Sequence, residues 1–251
     1  MLRFAFCAIV FLIIVIATLL VMMFLLIVSL FDKKAAGDMA QGWLRIVCRL
    51  LLLSTGSKMT VIGSDRVPKD EPVLFVSNHR SMFDIVVAYA CTDKRFGFVA
   101  KNDLEHTPVI GTSIRLTGGL FLDRKDIRKG MQMILEAIQR IKSGLSMWIC
   151  PEGTRSKGEI TELLKFKDGS FKIATKSGAK IVPVAMTGTG ELLELSFPRL
   201  VSQHIVIEYG TPVDPVELPE ETKKHMGDYF ADIIRTMLKK NVELKMPERD
   251  R

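Results

Sequence analysis

The sequence predicts an α/β domain: a mixed, largely parallel sheet flanked by helices, preceded by an N-terminal hydrophobic helix and a short interfacial amphipathic helix. Three observations predict it. Residues 4–31 carry no charge, no Gly and no Pro, as a helix in contact with lipid would. Residues 43–53 are apolar except for Arg45 and Arg49, which at a spacing of four share one helix face. From Met59 onward, short apolar runs alternate with longer amphipathic ones, the pattern of repeated strand–helix–strand units. With 251 residues, 48% hydrophobic and 25% charged, the chain suits one compact domain with an appendage, and not a disordered or disulfide-built protein. Its mean hydropathy of +0.23 is high for a freely soluble enzyme.

The first segment would make a helix about 42 Å long, against a hydrocarbon core of roughly 30 Å. It is about twice as long as the ~7–15-residue apolar region of a signal peptide and runs into Asp32-Lys33-Lys34, so it reads as an uncleaved anchor. A single span is expected, with Met1 outside and residues 32–251 in the cytoplasm; the alternative embeds both N-terminal helices in one leaflet. The second segment predicts an interfacial helix over about 39–54, with Trp43 at the boundary and the two arginines toward headgroups; the alternative is an ordinary core helix with two exposed arginines. These elements form an anchor over 1–58, followed by the α/β domain over 59–240 and a polar tail over 241–251 expected to fray. In the domain, strands are predicted at 73–77, 96–101, 119–122, 145–150, 180–186 and 205–209, and helices at 83–90, 126–142, 169–177 and 219–239. Lys-Ser-Gly at 142–144 and again at 176–178 marks two helix ends.

Lys and Arg number 35 against 28 Asp and Glu, a net charge of +7, and Arg3 is the only charged side chain before Asp32. A basic domain behind a lipid-facing segment points to an anionic partner, either phospholipid headgroups or a phosphorylated substrate. Nucleic acid is excluded as the partner, because no Lys/Arg run exceeds two residues and no nucleic-acid motif is present. Cys7, Cys48, Cys91 and Cys150 form no C-x-x-C pair and read as reduced thiols. There is no metal-ligand cluster.

Four segments carry chemistry. In Ser77-Asn78-His79-Arg80-Ser81-Met82-Phe83-Asp84, His79 and Asp84 are five apart and would diverge by about 140° on a single helix. They meet only if His79 lies in the loop after a strand and Asp84 in the next helix's first turn, with Ser81 as N-cap. His79 is then a general base oriented by a carboxylate; alternatively Asp84 only completes a capping box with Ser81. His106, His204 and His225 have no Asp five residues on, and His204 at a strand start and His225 on the last helix read as structural or surface residues. Gly118-Gly119-Leu120-Phe121-Leu122-Asp123-Arg124 reads either as flexible backbone joined to a phosphate-gripping guanidinium or as a turn with an Asp–Arg surface pair. Cys150-Pro151-Glu152-Gly153-Thr154-Arg155-Ser156-Lys157-Gly158 reads as an anion cradle, with Glu152 a partner for Arg155 or another basic residue, or as a charged surface loop. Ile181-Val182-Pro183-Val184-Ala185-Met186 reads as a strand whose Pro183 implies an edge or a bulge, lining an acyl groove or belonging to the core.

In this order the four segments resemble the glycerolipid acyltransferase family, whose motifs are N-H-x-S-x-x-D, G-x-x-F-x-D-R, F-P-E-G-T-R-S and V-P-V. Here they read NHRSMFD, GGLFLDR, CPEGTRS and IVPVAM, with Cys150 where Phe is common. Val99-Ala100-Lys101-Asn102-Asp103-Leu104 with Pro108 and Gly111 resembles the family's A-K-x-x-L…P-x-x-G segment. The resemblance covers about residues 70–190 and is nearest to the bacterial 1-acyl-sn-glycerol-3-phosphate acyltransferases. It implies acyl transfer from acyl-CoA or acyl-carrier protein to the sn-2 hydroxyl of lysophosphatidic acid, giving phosphatidic acid at a membrane, with no cofactor beyond that co-substrate and no covalent acyl-enzyme. By resemblance, His79 and Asp84 are catalytic. Lys101, Arg124, Glu152, Gly153, Thr154, Arg155 and Ser156 bind substrate, and Ile181, Val182, Pro183 and Val184 are acyl-groove candidates. Other acceptors (glycerol 3-phosphate, another lysolipid) and a non-catalytic lipid-binding role are the rival readings. A hydrolase is disfavoured, since no G-x-S-x-G occurs.

Overall fold

The computed structural model describes residues 2–124, 126–197 and 199–244. Two helices, α1 (Leu2–Phe31) and α2 (Lys33–Ser54), precede seven strands: β1 (Lys58–Ile62), β2 (Val73–Ser77), β3 (Phe96–Lys101), β4 (Leu120–Leu122), β5 (Ser146–Ile149), β6 (Lys180–Thr187) and β7 (His204–Tyr209). Between and after them lie α3 (Phe83–Cys91), α4 (Pro108–Leu116), α5 (Ile127–Lys142), α6 (Lys172–Ser177), α7 (Thr189–Leu192), α8 (Glu220–Lys224) and α9 (Met226–Glu243). The strands form one sheet in the order β1-β7-β6-β2-β5-β3-β4. Every neighbouring pair is parallel except β6–β7.

Both faces of the sheet are covered, so its strands read as unbroken apolar runs. Alternation along β2 sends Phe75 to one face and Leu74 and Val76 to the other. Phe75 joins Phe96, Trp148 and Tyr209 in the layer under α2 and α3, stacked on Trp148 at 4.8 Å between ring centroids. On the other face Leu74, Val76, Met147 and Ile149 meet Ala137 and Ile141 of α5 and Phe230 and Ile234 of α9.

The N-terminal helices form a hairpin joined by Asp32 alone, whose Oδ1 accepts the N–H groups of Lys34 and Ala35 at 2.9 Å each. That N-cap starts α2 well before the expected 39. α1 buries one stripe, Thr18, Met22 and Leu25, and leaves Ile16, Leu20, Phe24 and Ile27 exposed. Trp43 donates its indole N–H to the Thr18 hydroxyl at 3.3 Å, tying the two helices together. Arg45 and Arg49, expected toward headgroups, instead turn to the C-terminal end of α3. Arg45 Nη2 donates to the carbonyls of Thr92 and Asp93, and Arg49 Nε to that of Ala90. Guanidinium groups there satisfy the orphan carbonyls of a helix end.

Other elements differ from expectation for local reasons. β1 was not predicted; it is a half-exposed edge strand with Lys58 and Thr60 among its five residues. The short helix α4 was also not predicted, although Thr107 caps it through Gly111 N–H and Pro108 opens it. The predicted helix over 219–239 is divided at His225, at φ −127° and ψ 42°. Helix α9 continues to Glu243, into the expected tail, whose residues 245–251 lie outside the described residues. Pro183 lies on an interior strand rather than at an edge. Its carbonyl accepts Gly210 N–H at 2.8 Å, and Ile181, two residues back on the same strand edge, pairs both ways with Val213. The missing donor of Pro183 therefore faces residues 211 and 212, where the neighbouring chain has left the ladder.

Candidate active site

Four adjacent parallel strands, β2, β5, β3 and β4, end at Ser77, Ile149, Lys101 and Leu122. Their C-terminal ends therefore lie along one side of the sheet, and the loops leaving them carry every polar motif singled out above. Open α/β sheets bind ligands in such a crevice.

The loop after β2 is pegged from both sides. Buried Asn78 donates to the Met186 carbonyl and accepts the Met186 N–H, each at 2.9 Å. His79 follows, its backbone N–H donated to Glu152 Oε1 at 2.7 Å and its carbonyl accepting Ser156 N–H at 2.8 Å. Its ring Nδ1 lies 2.8 Å from Oδ2 of Asp84, which is fully buried. A carboxylate accepts only, so Nδ1 bears the proton and Nε2 is left as the basic nitrogen. The same Oδ2 accepts the N–H groups of Arg80 and Ser81 at 2.8 and 2.9 Å, and the Ser81 hydroxyl accepts Phe83 N–H at 2.9 Å. The capping role and the histidine-orienting role thus coexist in one carboxylate. The helix starts one residue later than a Ser81 N-cap implies, after Met82, already at helical φ −63°.

His79 opens onto a cavity of about 760 Å³ whose wall changes character along its length. The polar end is lined by His79, Lys101, Asp103, Arg124, Gly153, Thr154, Arg155 and Lys167. The apolar end runs between α1, α2, α3 and α4, past Ile14, Val15, Leu44, Val47, Tyr89 and Ile114. Lys101 is paired with Asp103. Arg155 Nη1 donates at 2.9 Å to Glu194 Oε1, which also accepts Met82 N–H at 2.7 Å. Burial lowers the Arg124 pKa, in the direction expected for a partly desolvated cation.

The pattern that defines the acyltransferase family matches residues 58–187. This chain belongs to the acyltransferase family. The match spans the strands and loops just described, from β1 to the end of β6. Among the relatives of this acyltransferase, a 1-acyl-sn-glycerol-3-phosphate acyltransferase of Borreliella burgdorferi is 29% identical over 80% of this chain and 78% of its own. One of Haemophilus influenzae is 30% identical over 71% and 74%. In the solved structures, the 1-acyl-sn-glycerophosphate (LPA) acyltransferase PlsC from Thermotoga maritima superposes with a TM-score of 0.70. That match covers 90% of this chain and 96% of the other at 24% identity, and it supports the fold.

Within the acyltransferase site, two of the expected substrate-binding residues point away from the cavity. Glu152 and Ser156 are buried and act as struts. The second carboxylate oxygen of Glu152 accepts Leu164 N–H at 2.9 Å, and the Ser156 hydroxyl donates to the Glu162 carbonyl at 3.2 Å. Glu152 therefore holds the His79 backbone and not Arg155; burial raises its carboxyl pKa, against the pull of those two N–H groups. None of Ile181, Val182, Pro183 and Val184 lines the cavity. β6 is an interior strand with both faces covered, so these side chains belong to the core. The glycines at 118 and 119 serve packing: Gly118 turns at φ +83°, and a Cβ on Gly119 would lie 2.6 Å from the Phe98 carbonyl oxygen. Cys150 Sγ lies 3.4 Å from the Ser77 hydroxyl, which also accepts the Trp148 indole N–H at 2.8 Å. Burial raises its thiol pKa, which favours the protonated thiol. Lys167 and Glu194 escaped the sequence reading because neither belongs to a recognisable motif.

Proposed function

We propose that this acyltransferase moves an acyl group from an acyl thioester, acyl-CoA or acyl-carrier protein, to the sn-2 hydroxyl of 1-acyl-glycerol-3-phosphate, giving phosphatidic acid. The observation that carries the reading is the single cavity that joins the His79–Asp84 pair to a cationic end and a long apolar end. A phosphate monoester bearing an acyl chain has the same division of charge and grease. The names of the curated relatives support the same reaction.

In the proposed step, His79 Nε2 takes the proton of the acceptor hydroxyl as the oxygen attacks the thioester carbonyl. The C–O bond forms, the C–S bond breaks through a tetrahedral oxyanion, and the proton passes from the imidazolium to the departing thiolate. Asp84 holds the ring and stabilises its transient charge. Arg124 and Arg155 hold the acceptor phosphate, and Lys101 and Thr154 complete that end of the site. The test is an acceptor panel. Purified full-length protein in detergent, with matched acyl-CoA and acyl-carrier donors, should acylate lysophosphatidic acid in preference to glycerol 3-phosphate and other lysolipids. Equal or better use of another acceptor overturns the assignment.

The N-terminal hairpin serves lipid access in this reading. Leu12–Phe31 is long and apolar enough to cross a membrane, but α1 is seated on the domain through Thr18, Met22 and Leu25, and Ile14 and Val15 wall the cavity. Those contacts favour both helices lying in one leaflet over the single span expected from segment length. Labelling a cysteine introduced at Leu2 with an impermeant reagent, in a background lacking Cys7, distinguishes them: the in-leaflet arrangement protects it in intact cells, whereas the span exposes it.

A further inference from the structure

We infer that Lys167 is an anion-binding residue of this site, gripping the acceptor phosphate alongside Arg124 and Arg155; this rests on the proposed acceptor. Lys167 belongs to the stretch between the third and fourth motifs. That stretch is laced onto the loop after β5 by three hydrogen bonds: Lys167 N–H to the Pro151 carbonyl at 3.2 Å, Leu164 N–H to Glu152 at 2.9 Å, and Ser156 to the Glu162 carbonyl at 3.2 Å. Phe166, beside it, is 1% exposed and anchors the stretch in the core. The backbone of Lys167 is therefore held in place against the same loop that positions His79.

Its side chain lies over Gly153. A Cβ added there would stand 3.0 Å from Lys167 Nζ and 3.3 Å from Cε, and Gly153 has φ +70°. The missing side chain at 153 thus lets the ammonium reach the cavity wall, where Lys167, Arg124 and His79 occur together. Charge bookkeeping distinguishes this cation from its neighbours. Lys101 is paired with Asp103 and Arg155 with Glu194. Among the described residues, Lys167 has no ion pair or side-chain hydrogen bond, and Arg124 has none in contact, with the Asp103 carboxylate acting on it at longer range. Two cations without a contact ion pair on one concave wall attract an anion, and a phosphate monoester near −2 at neutral pH matches their combined charge. One contact is a point charge and the other a planar fork, so together they fix both the position and the orientation of a phosphate.

The experiment compares Lys167→Met and Lys167→Arg with wild type, as full-length protein in detergent. It measures KM for lysophosphatidic acid, KM for acyl-CoA and inhibition by inorganic phosphate. Lys167→Met should raise acceptor KM about tenfold or more, weaken phosphate inhibition in parallel, and leave donor KM and the melting temperature near wild type. Lys167→Arg should recover most of the loss. Gly153→Ala should shift acceptor KM the same way, since it pushes the ammonium off its seat. An unchanged acceptor KM, a rise confined to the donor, or no rescue by Arg overturns the inference. Phosphate inhibition is read against whichever acceptor the wild-type enzyme uses, so a failure of the lysophosphatidic acid assignment shows in the wild type and a failure of Lys167 only in the variants.

Discussion

At the polar end of the cavity, side chains are tied to distant backbone; at the apolar end, the lining is mostly hydrocarbon, and the hydrogen bonds there, such as Trp43 to Thr18 and Arg49 to the end of α3, join helix to helix. His79 is held by Glu152 through its N–H, by Ser156 through its carbonyl and by Asp84 through its ring. Asn78 is clamped to Met186 in both directions. Hydrogen bonds set direction as well as distance, so this end has one working geometry and removing a partner leaves a buried group unsatisfied. Leu44, Val47 and Tyr89 at the other end contribute surface and volume, and the effect of changing them scales with the size of the change. Chemistry at one end should therefore be all-or-none, and chain selection at the other graded.

The sharpest break comes at His79. His79→Ala should lower turnover ~10²–10⁴-fold with the melting temperature in detergent preserved, and Asp84→Asn should be comparably severe because it also disturbs two backbone N–H bonds. Folded His79→Ala protein turning over near the wild-type rate would remove the base from that end. Next comes Glu152→Ala, which orphans the N–H groups of His79 and Leu164 at about 1–3 kcal/mol each. A fall in melting temperature together with a fall in kcat larger than any change in KM is the expected result; a pure KM effect would return Glu152 to the substrate.

Arg155→Ala should raise acceptor KM roughly 10–150-fold, the loss of one charge-assisted contact. A shift in donor KM alone would reverse the two substrates. The smallest effect belongs to the apolar end. Val47→Trp should shorten the usable length and change relative rates by about fourfold per excluded methylene, from ~0.8 kcal/mol each. A profile across donors of increasing chain length reads this directly, and an unchanged profile would mean that the acyl chain lies elsewhere.

Much of the polar end was legible because its signals are local. A His in a loop, a Ser one turn before an Asp and an apolar strand upstream are all contained in residues 73–84, so spacing alone limited how His79 and Asp84 could meet. The apolar end was not legible. Ile181–Val184 looked like a groove because they are greasy and interrupted by proline, yet greasy strand residues are equally suited to a core, and β6 lies inside the sheet. Val47 and Tyr89, which do line the cavity, have nothing in their own neighbourhoods to distinguish them from core residues.

By itself the sequence determined where strands and helices alternate, that a long apolar segment comes first, and that His79, Arg124 and Arg155 sit in loops that follow strands, with Asp84 in the first turn of the next helix. These follow from periodicity and from contacts within about ten residues. Only the tertiary structure decided that Glu152 reaches back 73 positions to the His79 backbone, that Arg45 and Arg49 cap a helix end, and that Lys167 joins the cationic wall. Which way such a side chain points depends on which strands become neighbours, and strand order in a sheet is chosen by the packing of the whole domain.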